Sequence, residues 1–267
     1  MSANHRKQQA ILTLVAALLW LTPYDARSSS SASASTAASP DAQRVKTGHF
    51  TYRSFDHGKT VGKGEIAIAM DSVSGNYTFS EDFDFSEEFE GYRSQRWESV
   101  ATSAFDPISA KLSFLEKSGY TPVFDLKYAE GKVSGFSVER ATANGNSQND
   151  SQSPKKRTVN ASLPKNTYDQ RIDWAVVLGC DLDHQKQFEF NVYDPNTGVS
   201  HATAELKSLE HVQVAEISIE AYRVIYRIEK LGGTETYQVL VSQTFPHILL
   251  REEFPNGTFD TLISNRD

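Results

Sequence analysis

The stretch YTFSEDFDF, residues 77–85, decides the fold. Tyr77, Phe79, Phe83 and Phe85 fall on one face of an extended chain, with Thr78, Ser80, Asp82 and Asp84 on the other. Alternation with period two marks a strand with one buried and one wet face. The same pattern recurs outward along the chain. Ile66, Ile68 and Met70 share a face of GEIAIAM. Phe188, Phe190 and Val192 oppose Glu189, Asn191 and Tyr193. In EAYRVIYRIEK, Tyr222, Val224, Tyr226 and Ile228 oppose Arg223, Ile225, Arg227 and Glu229. Further strands are predicted over His49–Phe55, Tyr92–Val100, Lys111–Glu116, Val123–Tyr128, Lys132–Glu139, Ala204–Leu209 and Tyr237–Gln243. Ile108–Phe114 reads equally as a short turn or the start of a strand. One apolar and one polar face per strand is the habit of antiparallel sheet. Turn residues separate the runs: Gly131-Lys132, Asp194–Gly198, and Asn256-Gly257, whose tolerance of positive φ suits a hairpin.

One helix is expected. Thr167 with Gln170 spells a capping box, and Asp169 suits the positive end of a helix dipole. Tyr168, Ile172, Ala175, Val176 and Gly179 then recur at helical spacing, with Trp174 at the stripe's edge. The predicted fold is mainly β: a large curved antiparallel sheet, half-barrel or open barrel, with one principal helix against it.

The N-terminus reads as an address. His5-Arg6-Lys7 precedes the apolar run Ile11–Leu21, about half the roughly 20 residues of a membrane span. This is the form of a secretory signal peptide, assigned to residues 1–26. No cysteine follows it, which excludes an ordinary lipoprotein. Residues 27–46, rich in Ser and Ala, are expected to be a flexible linker, and 47–267 a single β domain with a disordered loop at 142–156. Among 267 residues, 39% are hydrophobic and 11% aromatic, enough for a sizeable core. A net charge of -7 argues against nucleic acid, whose phosphates demand a basic face. A lone cysteine allows no internal disulfide.

The order of short motifs resembles an exported bacterial β-protein family classified as a domain of unknown function. Its pattern would place Phe50 and Tyr52 on the early aromatic strand, and Gly64-Glu65 at a strand start. Pro107 with Ser109, Tyr128 with Gly131, Val192-Tyr193-Asp194 and Pro246 would follow. The resemblance implies a curved sheet with a helix, similar to the half-barrels of periplasmic lipoprotein carriers. It supplies no catalytic residues.

Three stretches could carry chemistry. Cys180, Asp181, Asp183 and His184 together have donors that zinc accepts. Neighbouring residues rarely converge on one ion, however. The competing account ends the helix at a left-handed Gly179, tucks Cys180 back as a buried, unreactive thiol, and makes the rest a polar connection. Residues 80–90 hold six carboxylates but no calcium-loop spacing, and read as the wet side of a strand. Glu98, Asp106, Asp125, His201 and His247 could serve a hydrolase, though no catalytic motif is present. An enzyme reading demands a polar cleft with a carboxylate or histidine of strongly shifted pKa.

The expected function rests on the sheet. Its apolar rows exceed what one helix is expected to cover, which would leave a concavity for an apolar ligand; the competing reading is that the rows pack against one another as a closed core. The candidate ligand-binding residues are Tyr77, Phe79, Phe83, Phe85, Tyr222, Val224, Tyr226 and Ile228. The reading is a non-catalytic, exported binding or carrier protein for a lipid or acyl chain. It includes no catalytic residues, metal, cofactor or integral membrane span. The alternatives are an envelope protein that engages a protein partner through strand edges or the 142–156 loop, and a hydrolase.

Overall fold

The computed structural model describes residues 36–89, 92–116, 119–139, 155–214 and 216–266. The signal segment, residues 27–35 of the linker and residues 142–154 of the long loop lie outside the described residues.

Two meanders build the sheet. The first runs through β2 (Gly48–Asp56), β3 (Lys59–Met70), β4 (Tyr77–Phe89) and β5 (Tyr92–Ala101). It continues through β6 (Pro107–Glu116), β7 (Gly119–Ala129), β8 (Lys132–Glu139) and β9 (Lys155–Ser162). The second comprises β11 (Gln187–Asp194), β12 (Gly198–Val214), β13 (Ile217–Lys230), β14 (Gly233–Ser242), β15 (Leu249–Glu253) and β16 (Phe259–Arg266). Antiparallel pairing of β16 with β2 fuses the meanders into one sheet. Two short strands, β1 (Thr36–Ala37) and β10 (Thr167–Asp169), add parallel pairs on β11. The backbone ladder does not close, because its path ends at β9 on one side and beyond β11 on the other.

The predicted strands are present, several of them longer than their alternation suggests. Pro107–Glu116 is strand β6 throughout. The Asn256-Gly257 hairpin forms between β15 and β16, with Gly257 at φ +83° and the Asn256 side chain accepting from the Thr258 amide at 3.0 Å. The folded region reaches back into the stretch assigned to the linker. Ala42 and Val45, in and beside a 3-10 turn, are buried in the main core. Lys155 and Lys156, assigned to the long loop, belong to β9.

The helix differs from its expected form. Thr167 is not its cap: Thr167–Asp169 is extended and pairs in parallel with Asn191–Tyr193. Tertiary strand pairing overrides the local capping pattern. Asp169 instead caps a 3-10 turn, Gln170–Ile172, by accepting the Arg171 amide at 2.9 Å. Helix α1 spans only Asp173–Gly179, and all seven residues are buried. Apart from Asp173 at its start the helix is apolar all round, and such a helix must be enclosed. Gly179 is the last helical residue rather than a left-handed cap, and Cys180 after it is extended. Glycine is needed at 179 for space, since a Cβ there would lie 2.6 Å from the Phe105 ring. Phe105 stacks on Phe79 at 5.7 Å between centroids, and Trp174 meets Phe79 edge-on at 6.3 Å.

The ends of the sheet meet through side chains. The buried Tyr128 hydroxyl of β7 donates to Asp169 Oδ2 at 2.6 Å. Arg171 donates to Asp194 at 2.6 Å, and Tyr128 packs edge-on to Tyr193 at 6.2 Å. Arg157 of β9 donates to the Pro195 carbonyl in the turn after β11. Tyr193 joins Val123, Phe124, Leu126 and Val133 in a second apolar cluster along this seam. Polar and aromatic contacts therefore bridge the two ends of the open sheet where backbone pairing stops.

Candidate functional site

Two adjoining cavities open on the inner face of the sheet. The outer, about 420 Å³, is lined by Val61, Phe83, Phe85, Tyr237, Phe254 and neighbouring residues. That volume falls in the usual range of small-molecule sites, about 300–1,000 Å³. The inner cavity, about 250 Å³, reaches Glu81, Arg171, Asp173, Trp174 and Glu252. Gln95, Tyr237, Phe254 and Asp260 line both.

Strand register explains the layout. Glu252 pairs with Asp260, Asp260 with Ser54, and Ser54 with Gly62, so these positions form one lateral row across β15, β16, β2 and β3. In the adjacent row Tyr52 pairs with Gly64, Gly64 with Phe83, and Phe83 with Gln95. Phe83 lies flat on the two glycines: a Cβ at Gly64 would sit 2.2 Å from its Cδ2, and one at Gly62 2.4 Å from its Cε1. The bare backbone of β3 is thus the bed of an aromatic wall. Phe85 tilts against Phe83 at 5.2 Å, and Tyr237 stacks on Tyr226 at 4.9 Å.

Beneath the aromatic mouth, Glu81, Asp173, Glu252 and Asp260 form an acidic floor. Burial pushes Glu81 and Asp173 up to about 7 and Asp260 up to about 6. Glu252 is also raised well above the usual carboxylate range, by burial and then by Asp173 and Asp260. The Tyr226 hydroxyl lies 3.1 Å from Glu252 Oε1 and 3.4 Å from Asp173 Oδ1. One hydroxyl proton can serve only one acceptor, so satisfying both contacts requires a proton on a carboxyl. Gln95 donates to Glu81 at 2.6 Å, and the Ser54 hydroxyl donates to Asp260. Arg171 is the one cation among the described residues lining either cavity, and its guanidinium is held by Asp194 at 2.6 Å with Asp169 at 3.6 Å.

The eight residues expected to meet ligand divide. Phe83 and Phe85 line the outer cavity. The Tyr226 hydroxyl points at the acidic floor, while its ring belongs to the main core. Phe79, Val224 and Ile228 are fully buried in the core cluster that includes α1, which fills that part of the concavity. Tyr77 borders a surface groove beside Val45 and Met70. Tyr222 donates to Asp183, tying β13 to the connection after α1.

The four carboxyls of the floor were not among the expected site residues. One signal was available: Glu81 occupies the inward position between Phe79 and Phe83, where the alternation calls for an apolar side chain. Of the proposed hydrolase candidates, Glu98, Asp106, Asp125, His201 and His247 are absent from both cavity linings. Glu98 pairs with Lys111, His201 lies beside Glu189, and His247 bonds the Ser242 carbonyl at 2.8 Å. Around Cys180 the donors diverge. Cys180 is sealed in the core, Asp183 accepts from Tyr222, and Asp181 pairs with His184 at 3.0 Å. Among the described residues no group of three or more His, Cys, Asp or Glu side chains is arranged to hold a metal. No helix among them is long and apolar enough to cross a membrane.

Fold and site define an open, barrel-like antiparallel β protein with an internal cavity. The chain shares its fold with a β-barrel-like protein of a domain of unknown function, DUF1849, from Brucella abortus. The match covers 84% of this chain and 99% of that one, at TM-score 0.54 and 12% identity. A Bacteroides fragilis protein with YmcC-like fold matches over 84% of this chain and 97% of its own, at TM-score 0.34 and 10% identity. Neither a protein-family model nor a curated protein matches the chain.

Proposed function

We propose that this is an exported, non-catalytic binding or carrier protein whose ligand places an apolar body in the outer cavity. The observation that carries the reading is the aromatic mouth: Val61, Phe83, Phe85 and Phe254 around an open space of about 420 Å³. An apolar ligand seated there would remove this surface from water, a gain of roughly 25 cal/mol per Å². Export is supported by the basic start and short apolar run at residues 5–21. The proposed ligand is a lipid or acyl chain of the cell envelope.

A hydrolase is the second reading, because the floor holds carboxyls with shifted pKa values in a cleft. Acid–base catalysis by two carboxyls works when their environments push them apart, one held as acid and the other as base. Here Glu81, Asp173, Glu252 and Asp260 are all pushed up by the same burial. That uniformity favours binding over hydrolysis.

Mass spectrometry of organic extracts from natively exported protein tests the carrier reading. A co-purifying apolar compound is expected in stoichiometric amount. Repeatedly empty extracts from protein that keeps its fold would remove it.

A further inference from the structure

We propose that the ligand of this cavity is an amphiphile whose polar head is a protonated amine, seated on the floor formed by Glu81, Asp173, Glu252 and Asp260. The inference rests on the binding reading above and specifies the chemistry of its ligand.

Depth and charge are arranged in sequence. The aromatic wall lies at the mouth, and the carboxyls line the inner space that shares Gln95, Tyr237, Phe254 and Asp260 with it. An apolar chain entering along Phe83 and Phe85 would carry its head to this boundary. Four carboxyls reach the space from β4, α1, β15 and β16, and Glu252 and Asp260 face each other directly in register. Like charges at such a position are unfavourable unless protonated or countered. The neighbouring cation counters them only in part: Arg171 favours the charged form of Asp173, but its guanidinium is held between Asp169 and Asp194. A carboxylate or phosphate head would add negative charge to a low-dielectric pocket already acidic on several sides, at a cost of several kcal/mol. An ammonium head supplies the missing countercharge and up to three donors for carboxylate oxygens. Burial favours the neutral form of Glu81 and Asp173, and an ammonium seated among the four carboxyls would favour their charged form.

The test uses three amphiphiles with one tail: dodecylamine, dodecanol and dodecanoate, each below its micelle concentration, displacing the neutral dye Nile red from the purified protein. Dodecylamine is expected to displace at least tenfold more tightly than dodecanoate, with dodecanol between. The Glu81→Gln/Asp260→Asn double variant, checked for fold by circular dichroism, is expected to lose most of that preference while still binding dodecanol. Dodecanoate binding as tightly as the amine would overturn the head-group inference and leave the apolar-ligand reading standing. Equal discrimination by the double variant would also overturn it. Failure of the dye and all three amphiphiles to bind would overturn both.

Discussion

The Tyr128 hydroxyl donates to Asp169 across 2.6 Å and joins β7 to β10, strands that share no backbone pairing. This bond sits at the centre of the seam between the sheet's two ends. Replacing Tyr128 by Phe leaves a buried Asp169 oxygen without its donor. We expect a loss of about 1–3 kcal/mol in urea unfolding, with the circular dichroism spectrum unchanged. A change below about 0.3 kcal/mol would mean that the seam is held by apolar packing alone.

Gly64→Ala tests the bed beneath Phe83. The added methyl would overlap the ring, so Phe83 must lift towards the cavity. A destabilisation of about 1–3 kcal/mol is expected, together with weaker binding of an apolar probe. Gly58→Ala, at the β2–β3 turn, places its Cβ in open space and is the control for space, although its φ of +77° brings a backbone cost of its own. Intact probe binding in Gly64→Ala would show that Phe83 does not border the ligand.

Much of this architecture was legible in the sequence. Alternation at Tyr77–Phe85 and Tyr222–Ile228 marks strands because burial on one face forces period two. The motif residues Tyr128, Tyr193 and Asp194, weak as single signals, prove to be neighbours on the seam. The helix start was misread because Thr167–Asp169 finds a strand partner 24 residues further on, at Asn191–Tyr193. Pairing across the fold leaves no mark in a local window. The floor was hidden for a related reason. Glu252 and Asp260 look like ordinary strand carboxylates until register places them side by side, and Asp173 looks like a helix-start acid until Tyr226 is found beside it. Only Glu81, an acid in an apolar row, gave notice.

Stability should fall as pH rises across the neutral range. Each floor carboxyl has a folded pKa above its unfolded value of about 4, so the folded state holds protons that the unfolded chain has released. Their contribution is fully present below about pH 4 and is lost as pH rises through 6 to 7, where Asp260, Glu81 and Asp173 titrate. Asp181 and Asp194 are held below the ordinary range and act oppositely in more acidic solution, and His247, held below its ordinary value by burial, opposes the trend within this range as one group against several. Glu81 alone, raised to about 7, contributes roughly 2–3 kcal/mol between pH 5 and pH 8, so urea unfolding should favour pH 5 by at least that much. Glu81→Gln should reduce the difference, with Asp173 and Asp260 keeping the rest. Greater stability at pH 8 would contradict the protonated floor.

Cys180 should be inert while the protein is folded. It has no exposed surface, and burial pushes its thiol up to about 12. Labelling by an aromatic disulfide reagent at pH 8 is expected to be on the order of 100-fold slower than in urea, limited by opening of the core. Rapid labelling of the native protein would contradict the buried helix end.

The central claim is an apolar ligand site between Phe83, Phe85 and Phe254. The most direct measurement is a fluorescence titration of the purified protein with Nile red, wild type beside Phe85→Asp. The account predicts saturable binding at one site, weakened at least tenfold by the substitution in a protein that keeps its fold. Absence of saturable binding, or binding that Phe85→Asp leaves unchanged, would contradict it.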